Sequence, residues 1–204
     1  MKISPSEQYI QNLFKSRYGI NLNKINEHGG NNGLTPDFEC VSYGQRIFVC
    51  ELKEFIDVPL SKKSGRTIIN HTDGSIESYG NDNAINRISK DIYKAHKQLS
   101  KYIEPKILIF LSNTSLLNVR DLDETFNGFS ILAVEGNTRY VNIFAKRASD
   151  GKIKNIKKEI DLYIWVESAD DKIYFRTVTE IGLKIVKEHF DNPIEVSNDL
   201  TASK

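Results

Sequence analysis

Residues 36–53, PDFECVSYGQRIFVCELK, decide the fold. Two strand-like runs, at residues 36–43 and 46–55, are separated by Gly44 and Gln45, and such a short separation predicts an antiparallel hairpin. The second run is apolar on both faces through IFVC, which is typical of a strand in the centre of a sheet. Charged residues directly after such a strand are unexpected, and they mark its end as a candidate site.

Three charged side chains are predicted to meet at this end of the hairpin. Glu51 and Lys53 are two residues apart, so the period of a strand places them on one face. A hairpin centred on residues 44 and 45 brings Asp37 opposite positions near 52, within reach of the same side. Two neighbouring carboxylates favour a hard cation such as Mg²⁺ or Mn²⁺. The Lys53 ammonium would offset charge, hold an attacking water or stabilise the transition state of metal-assisted phosphodiester hydrolysis.

The segments around the hairpin predict an α/β protein. Residues 5–18 predict a helix, because a Ser-Pro-x-Glu start signal precedes apolar residues at helical spacing. Residues 20–25 predict a short strand, and residues 56–81 lack periodicity and predict a long mobile loop. A helix from residue 82 or 83 to Pro105 is followed by the apolar strand KILIFLS, which can lie parallel to an earlier strand through a right-handed crossover.

The C-terminal half predicts a β-rich extension that ends in a helix. Its expected elements are a helix at residues 118–126, strands at 130–134, 140–145, 160–166 and 172–178, and a helix at 180–190. We therefore expect one domain over residues 1–192, with a core at about 5–112 and an extension at about 113–192. Residues 193–204 are polar and predict a frayed tail.

Pro36-Asp37, a short gap, and Glu51-Leu52-Lys53 at the end of an apolar strand together resemble the motif of the PD-(D/E)XK nuclease superfamily. The resemblance covers the N-terminal core only. It implies a restriction-endonuclease-like core in the order αβββαβ, with a mixed central sheet that is flanked by helices.

The resemblance also implies roles for individual residues. Asp37 and Glu51 would be metal ligands, and the backbone carbonyl of Leu52 would be a further ligand. Lys53 would be the catalytic lysine. Glu7 in the first helix matches the place of an additional acidic metal ligand, and its alternative role is the capping box of that helix.

A second resemblance lies in the long predicted helix. Its QLSKY run, which begins at Gln98 and ends at Tyr102, fits the Q-x-x-x-Y pattern of the RecB-type branch of the superfamily. At about 100° per residue, both side chains share a stripe with Arg87, Asp91 and Lys94. Such a stripe would steady the catalytic lysine, which adds Gln98 to the candidate catalytic set. Arg87, Lys94 and Tyr102 become candidate nucleic-acid contacts. The alternative is a solvated helix face on which Tyr102 covers the core.

The overall composition restricts how the protein could bind nucleic acid or a membrane. The 204 residues include 28 Lys and Arg and 27 Asp and Glu, so a net charge of +1 gives no bulk attraction to polyanions. Contacts with nucleic acid must then come from local clusters, for which Lys62 and Lys63 in the long loop are candidates. Two cysteines, no signal peptide and no apolar stretch of membrane-spanning length predict a soluble cytoplasmic protein without a membrane partner.

These features predict a metal-dependent nuclease that hydrolyses phosphodiester bonds with Mg²⁺ or Mn²⁺. DNA is favoured over RNA as the substrate because the resembled superfamily acts mostly on DNA. Two alternatives remain open: a ribonuclease of the tRNA-cleaving toxin type on the same scaffold, and an inactive module that binds nucleic acid or protein. The complete set of Asp37, Glu51 and Lys53 argues against the inactive module. A homodimer is compatible with the chain, and its contacts would lie in the C-terminal half.

Overall fold

The structure is a computed structural model that describes residues 3–26, 35–56, 67–70, 76–79, 82–114, 117–127, 129–133, 139–143, 153–191 and 196–198. The α-helices in these ranges are α1 (Pro5–Tyr18), α2 (Asp82–Leu99), α3 (Val119–Asn127) and α4 (Glu180–His189), and Lys157–Glu159 form one turn of 3-10 helix. The strands are β1 (Leu22–Lys24), β2 (Phe38–Ser42), β3 (Gln45–Phe55), β4 (Thr67–Asn70), β5 (Ile76–Tyr79), β6 (Lys106–Ser112), β7 (Phe129–Ala133), β8 (Arg139–Ile143), β9 (Leu162–Glu167), β10 (Lys172–Thr177) and β11 (Val196–Asn198). Every helix within these ranges is too short or too polar to span a lipid bilayer.

Seven of the described strands form one mixed sheet in the order β1-β2-β3-β6-β9-β10-β11. Strands β1 to β3 pair antiparallel, β3, β6 and β9 run parallel, β10 is antiparallel to β9, and β11 is parallel to β10. The predicted α/β class with a mixed sheet is therefore confirmed. Strand β6 also lies parallel to an earlier strand, as predicted, and that strand is β3. From α1 to β6 the order is helix, three strands, helix, strand, with the hairpin β4–β5 added before α2.

Helix α1 begins and ends where its capping signals predict. Ser4 Oγ accepts a hydrogen bond from the Glu7 amide at 3.2 Å, and the Glu7 carboxylate accepts one from the Ser4 amide at 2.7 Å. Gly19 ends the helix with a φ of 67°, a left-handed conformation that glycine adopts readily. Ile10 and Phe14 bury the apolar face of the helix against the sheet. Both predicted bounds of α1 are confirmed.

The β2–β3 hairpin turns one residue earlier than the sequence predicts. Tyr43 and Gly44 form the turn with φ angles of 51° and 76°. Positive φ at both positions is the mark of a two-residue turn whose twist matches that of the strands, so Gly44 takes the second turn position. Phe38 lies opposite Cys50 in the resulting register. Strand β3 lies inside the sheet between β2 and β6, as its apolar run predicts.

Each face of the sheet has its own hydrophobic core. Helices α1 and α4 cover one face, and α2 and α3 cover the other. The side chains of β6 alternate between the two cores: Ile107, Ile109 and Leu111 belong to the first, and Leu108 and Phe110 belong to the second. This burial on both faces explains why β3 and β6 appear in the sequence as continuous apolar runs.

Asp161 links the start of α4 to the sheet through hydrogen bonds. Its carboxylate accepts hydrogen bonds from the Lys106 amide at 2.9 Å and from Thr179 Oγ1 at 2.6 Å. Its backbone carbonyl accepts one from the Val178 amide at 3.1 Å. Helix α4 approaches so closely that a Cβ atom at Gly182 would lie 2.0 Å from the Asp161 carbonyl oxygen.

The prediction that residues 56–81 form a loop is wrong in part. Strands β4 and β5 lie within it and pair antiparallel, with Thr67 opposite Tyr79. The run Thr-Ile-Ile at the start of β4 consists of β-branched residues, which favour a strand, and Asp73-Gly74 in the following sequence is a turn-forming pair. These signals are short and lie among polar residues, so the sequence shows no clear strand period there.

The end of α2 and the C-terminal tail also differ from the predictions. Helix α2 ends at Leu99 instead of continuing to Pro105, because the Tyr102 amide donates to the Leu99 carbonyl at 3.0 Å in a tighter turn. In the tail that was expected to fray, β11 pairs with β10, whose edge is a template for a further strand. The other elements predicted for the extension are confirmed, with bounds that differ by at most two residues.

We expect Gly182→Ala to destabilise the protein, although alanine is the better helix former by about 1 kcal/mol. The added methyl group would meet the backbone of Asp161 rather than a flexible side chain. Urea denaturation should show a loss of about 2 kcal/mol or more in the free energy of unfolding. Lys184→Ala, at an exposed position of the same helix, should stay within about 0.5 kcal/mol of the wild type. A Gly182→Ala variant as stable as the wild type would contradict the close approach.

Candidate active site

Asp37 is fixed immediately before β2 by contacts with two neighbouring segments. Its Oδ2 accepts a hydrogen bond from the Leu52 amide at 2.9 Å. Its backbone carbonyl accepts one from the Ile25 amide at 3.0 Å. Because Leu52 lies between Glu51 and Lys53, these contacts hold the Asp37 carboxylate beside the charged end of β3. The structure thus brings the three predicted charged residues to one place.

Glu51 is buried, with only 2% of its surface exposed. Its Oε1 accepts a hydrogen bond from Lys53 Nζ at 2.5 Å. Its Oε2 is also buried and has no hydrogen-bond partner among the described residues. Burial of a polar atom without a partner is unfavourable, so this oxygen is a position at which a proton, a water or a cation would be stabilising.

Lys53 connects β3 with α2. Besides Glu51, its ammonium contacts Oε1 of Gln98 at 3.0 Å. The amide nitrogen of Gln98 lies 3.5 Å from the backbone carbonyl oxygen of Thr35. Two acceptors therefore hold the lysine side chain in one place, and Gln98 occupies the position from which it can steady that lysine.

The pKa of Glu51 is raised from its ordinary value of 4.5 to about 7. Burial is the main cause, and the negative charge of Asp37 acts in the same direction. Lys53 and Gln98 lower the pKa without cancelling these effects. At pH 7 the carboxyl group of Glu51 is therefore protonated in about half of the molecules. A divalent cation would replace that proton and stabilise the carboxylate.

The two carboxylates fit a hard divalent cation. Mg²⁺ prefers oxygen ligands and keeps several of its waters, so one or two protein carboxylates are enough to bind it. In the part of the chain that the structure describes, no group of three or more His, Cys, Asp or Glu side chains is arranged to hold a metal ion. A cation at this site would therefore depend on Asp37, Glu51, the backbone carbonyl of Leu52 and water.

Lys24 belongs to the same cluster, although the sequence did not predict it. Its ammonium contacts Oε1 of Glu7 and lies 2.9 Å from Oδ1 of Asp37. Lys24 is opposite Phe38 in the β1–β2 register, which places it beside Asp37. The alternation in residues 20–25 would have indicated Lys24 only if the pairing of β1 with β2 had been known. Glu7 forms the capping box with its other oxygen, as the start signal of α1 predicts.

Two predicted nucleic-acid contacts on α2 have different surroundings. The Arg87 guanidinium lies over the ring of Phe55, 4.8 Å from its centroid, and is half-buried. Phe55 is two residues beyond Lys53 on β3, so Arg87 extends the cluster along the same strand. Lys94 is exposed and lies 3.6 Å from Asp91.

Tyr102, a further predicted contact, is not part of the charged cluster. Tyr102 lies beyond the end of α2, packs against the second core and has the Arg46 guanidinium 5.6 Å from its ring centroid. These contacts favour the alternative in which Tyr102 covers the core. Lys62 and Lys63 lie outside the described residues.

We expect Glu51→Gln to change how stability depends on pH in metal-free buffer. Because the pKa of Glu51 is higher in the folded protein than in the unfolded chain, its contribution to stability is full below about pH 4.5 and is lost as the pH rises to about 7. The variant should therefore gain about 2–3 kcal/mol relative to the wild type between pH 4.5 and 8. Urea denaturation across this range measures the difference. Glu188→Gln, exposed on α4, is the control for the change of charge. A constant difference between Glu51→Gln and the wild type would contradict the raised pKa.

The chain was compared with protein families, curated proteins and solved structures. No protein-family model matches the chain, and neither a curated protein nor a solved structure matches it. The resemblance to the PD-(D/E)XK superfamily therefore stays a prediction. It rests on the sequence motif formed by Pro36-Asp37 and Glu51-Leu52-Lys53 and on the run from Gln98 to Tyr102.

Proposed function

We propose that the protein is a metal-dependent nuclease that hydrolyses phosphodiester bonds. The observation that carries the proposal is the buried Oε2 of Glu51, which has no partner in the described residues although Asp37 and Lys53 are its neighbours. Two neighbouring carboxylates repel each other, and burial adds the loss of hydration. A divalent cation relieves both effects, which is why this set of donors favours a metal-assisted reaction.

Asp37, Glu51 and the backbone carbonyl of Leu52 would hold the cation, Mg²⁺ or Mn²⁺. When bound, it would polarise a phosphate oxygen and make a bound water more acidic. The chain keeps both carboxylates in place for this purpose. Asp37 is held by the Leu52 amide, and Glu51 is held by Lys53. Little rearrangement of the two side chains would be needed when the cation binds.

Lys53 is the residue that would contact the reacting phosphate. An ammonium group has three N–H donors, and in the described structure Glu51 and Gln98 accept two of them. The third can donate to a phosphate oxygen and stabilise the negative charge that develops in the transition state. Gln98 acts through Lys53, which makes it a positioning residue rather than a catalytic one.

Arg87 would place the nucleic-acid backbone along the site. Its guanidinium is oriented by the ring of Phe55 and can pair with a phosphate group in two parallel hydrogen bonds. Contacts with phosphates set the position of a strand without reading its bases. DNA is proposed ahead of RNA as the substrate on the resemblance to a superfamily that acts mostly on DNA.

We expect Lys53→Met and Asp37→Asn to lower cleavage by about 100-fold or more. Lys53→Met removes the ammonium that would contact the reacting phosphate, and Asp37→Asn removes a carboxylate that would hold the cation. Labelled DNA and tRNA, incubated side by side with Mg²⁺, Mn²⁺ or EDTA, measure the activity. Lys172→Met is the matched control, since Lys172 is an exposed lysine in a surface ion pair with Asp170. Circular dichroism establishes that each variant is folded.

Three results would bear on the alternatives. Cleavage of tRNA but not DNA would assign the same site to a ribonuclease. Full activity in both folded variants would remove the assignment of the site. Absence of cleavage by the wild type with either metal, while nucleic acid still binds, would favour the inactive module.

We also expect Mn²⁺ to raise the melting temperature of the wild type, because a ligand that binds only the folded state stabilises it by about 2.7 kcal/mol at 100 times its Kd. The rise should be smaller in Asp37→Asn, which lacks one carboxylate of the site. Differential scanning fluorimetry at increasing Mn²⁺ measures both shifts. Equal shifts in the two proteins would place the bound ion elsewhere.

A further inference from the structure

Lys24 lies between two carboxylates that come from different elements. Glu7 belongs to α1 and Asp37 immediately precedes β2, and the ammonium of Lys24 contacts one oxygen of each. The side chain of Lys24 is only 18% exposed, and its ammonium lies 5.3 Å from the centroid of the Phe38 ring. Lys24 is therefore a partly buried member of the cluster and not a fully exposed lysine.

The surroundings of Lys24 keep it charged. Burial alone would lower its pKa, but hydrogen bonds from the ammonium to Glu7 and Asp37, together with their negative charges, raise it above the ordinary value. The pKa of Glu7 is lowered, because its bonds with Lys24 and Ser4 outweigh the effect of burial. The contacts of the Lys24 ammonium with both carboxylates are therefore ion pairs.

The hydrogen bonds divide the cluster into two parts. At Glu7 and Asp37 every carboxylate oxygen has a donor: the Ser4 amide, the Leu52 amide, or Lys24 for one oxygen of each residue. At Glu51 one oxygen is held by Lys53 and the other has no partner among the described residues. A cation can bind the free oxygen of Glu51 and share an Asp37 oxygen with the Leu52 amide, because each carboxylate oxygen has two lone pairs. A cation between Glu7 and Asp37 must displace the Lys24 ammonium.

The charges limit the number of divalent ions that the cluster can hold. With all groups ionised, three carboxylates and two ammonium groups leave the cluster with one net negative charge. A single divalent ion more than neutralises it. A second divalent ion would bring a large excess of positive charge into a partly buried site, which is unfavourable unless one of the lysines leaves.

We propose that Lys24 fills the place of a second metal ion, so that the site takes one divalent cation, at Glu51, and the Lys24 ammonium supplies the other positive charge between Glu7 and Asp37. This inference rests on the proposed function, because it assumes that the cluster binds metal. In this arrangement Glu7 is the ion-pair partner of Lys24 and is not a ligand of the metal. Lys24 then acts as a positioning residue for Asp37.

A titration of the full-length protein with Mn²⁺, followed by electron paramagnetic resonance of the free ion, tests the inference without reference to activity. We expect one tightly bound Mn²⁺ per chain in the wild type and two in Lys24→Met, where the two carboxylates are left without a cation. Lys172→Met, which removes an exposed lysine from its pair with Asp170, should still bind one ion.

Glu7→Gln is a second variant that keeps the test independent of whether Lys24→Met folds. Glutamine can maintain the capping box. If Glu7 binds Lys24 and not the metal, the affinity for the single Mn²⁺ should change by less than about threefold. A loss of tenfold or more would overturn the inference, because it would identify Glu7 as a metal ligand.

Other outcomes separate this inference from the proposed function. Two ions in the wild type, together with metal-dependent cleavage, would overturn the role of Lys24 and leave the nuclease proposal in place. One ion in a folded Lys24→Met variant would also overturn it. No Mn²⁺ bound to any of the proteins, and no cleavage by the wild type, would overturn both proposals.

Discussion

The pairing of β2 with β3 is the constraint on which the candidate site depends. Phe38 lies opposite Cys50, and this register leaves Asp37 just beyond the paired residues of β2 and β3. There its carboxylate accepts a hydrogen bond from the Leu52 amide. A slip of one residue would turn Glu51 and Lys53 to the opposite face of the sheet. Because β3 is buried on both faces by its apolar run, such a slip is strongly disfavoured. The geometry of the charged cluster therefore follows from hydrophobic packing and not from attraction among the charges.

The cluster is a local conflict within an otherwise consistent fold. Glu51 enters the interior beside a second carboxylate, and one of its oxygens has no partner in the described residues. An apolar side chain of similar size would serve stability at least as well, as replacement of buried charges in other proteins illustrates. Conflicts of this kind are expected at functional sites, where the fold tolerates an unfavourable group for its chemistry. Exposed ion pairs such as Lys172–Asp170 carry no such implication, because they contribute only about 0–1 kcal/mol.

The sequence predicts those features that depend on neighbouring residues. The bounds of α1 follow from its caps, the central position of β3 from its apolar run, and the shared face of Glu51 and Lys53 from the period of a strand. Features that depend on distant pairing escape prediction. Lys24 joins the cluster only because β1 pairs with β2, and β11 forms only because β10 offers an edge. Nothing local distinguishes Lys24 from the other lysines, so its role becomes visible only in the folded chain. Helix α2 ends at Leu99 although the apolar rhythm of the sequence continues beyond it.

The cluster combines a buried acidic part, at Glu51, with a part in which Lys24 lies between Glu7 and Asp37. Lys53 and Gln98 join the acidic part to α2, and Arg87 continues the row of positive groups along β3. The central claim is that the acidic part holds a divalent cation, and anomalous diffraction from a crystal soaked in Mn²⁺ tests it most directly. We predict an anomalous peak in contact with both Glu51 and Asp37. Density that instead shows the free oxygen of Glu51 bonded to a protein group, in a crystal that binds Mn²⁺ elsewhere, would contradict the claim.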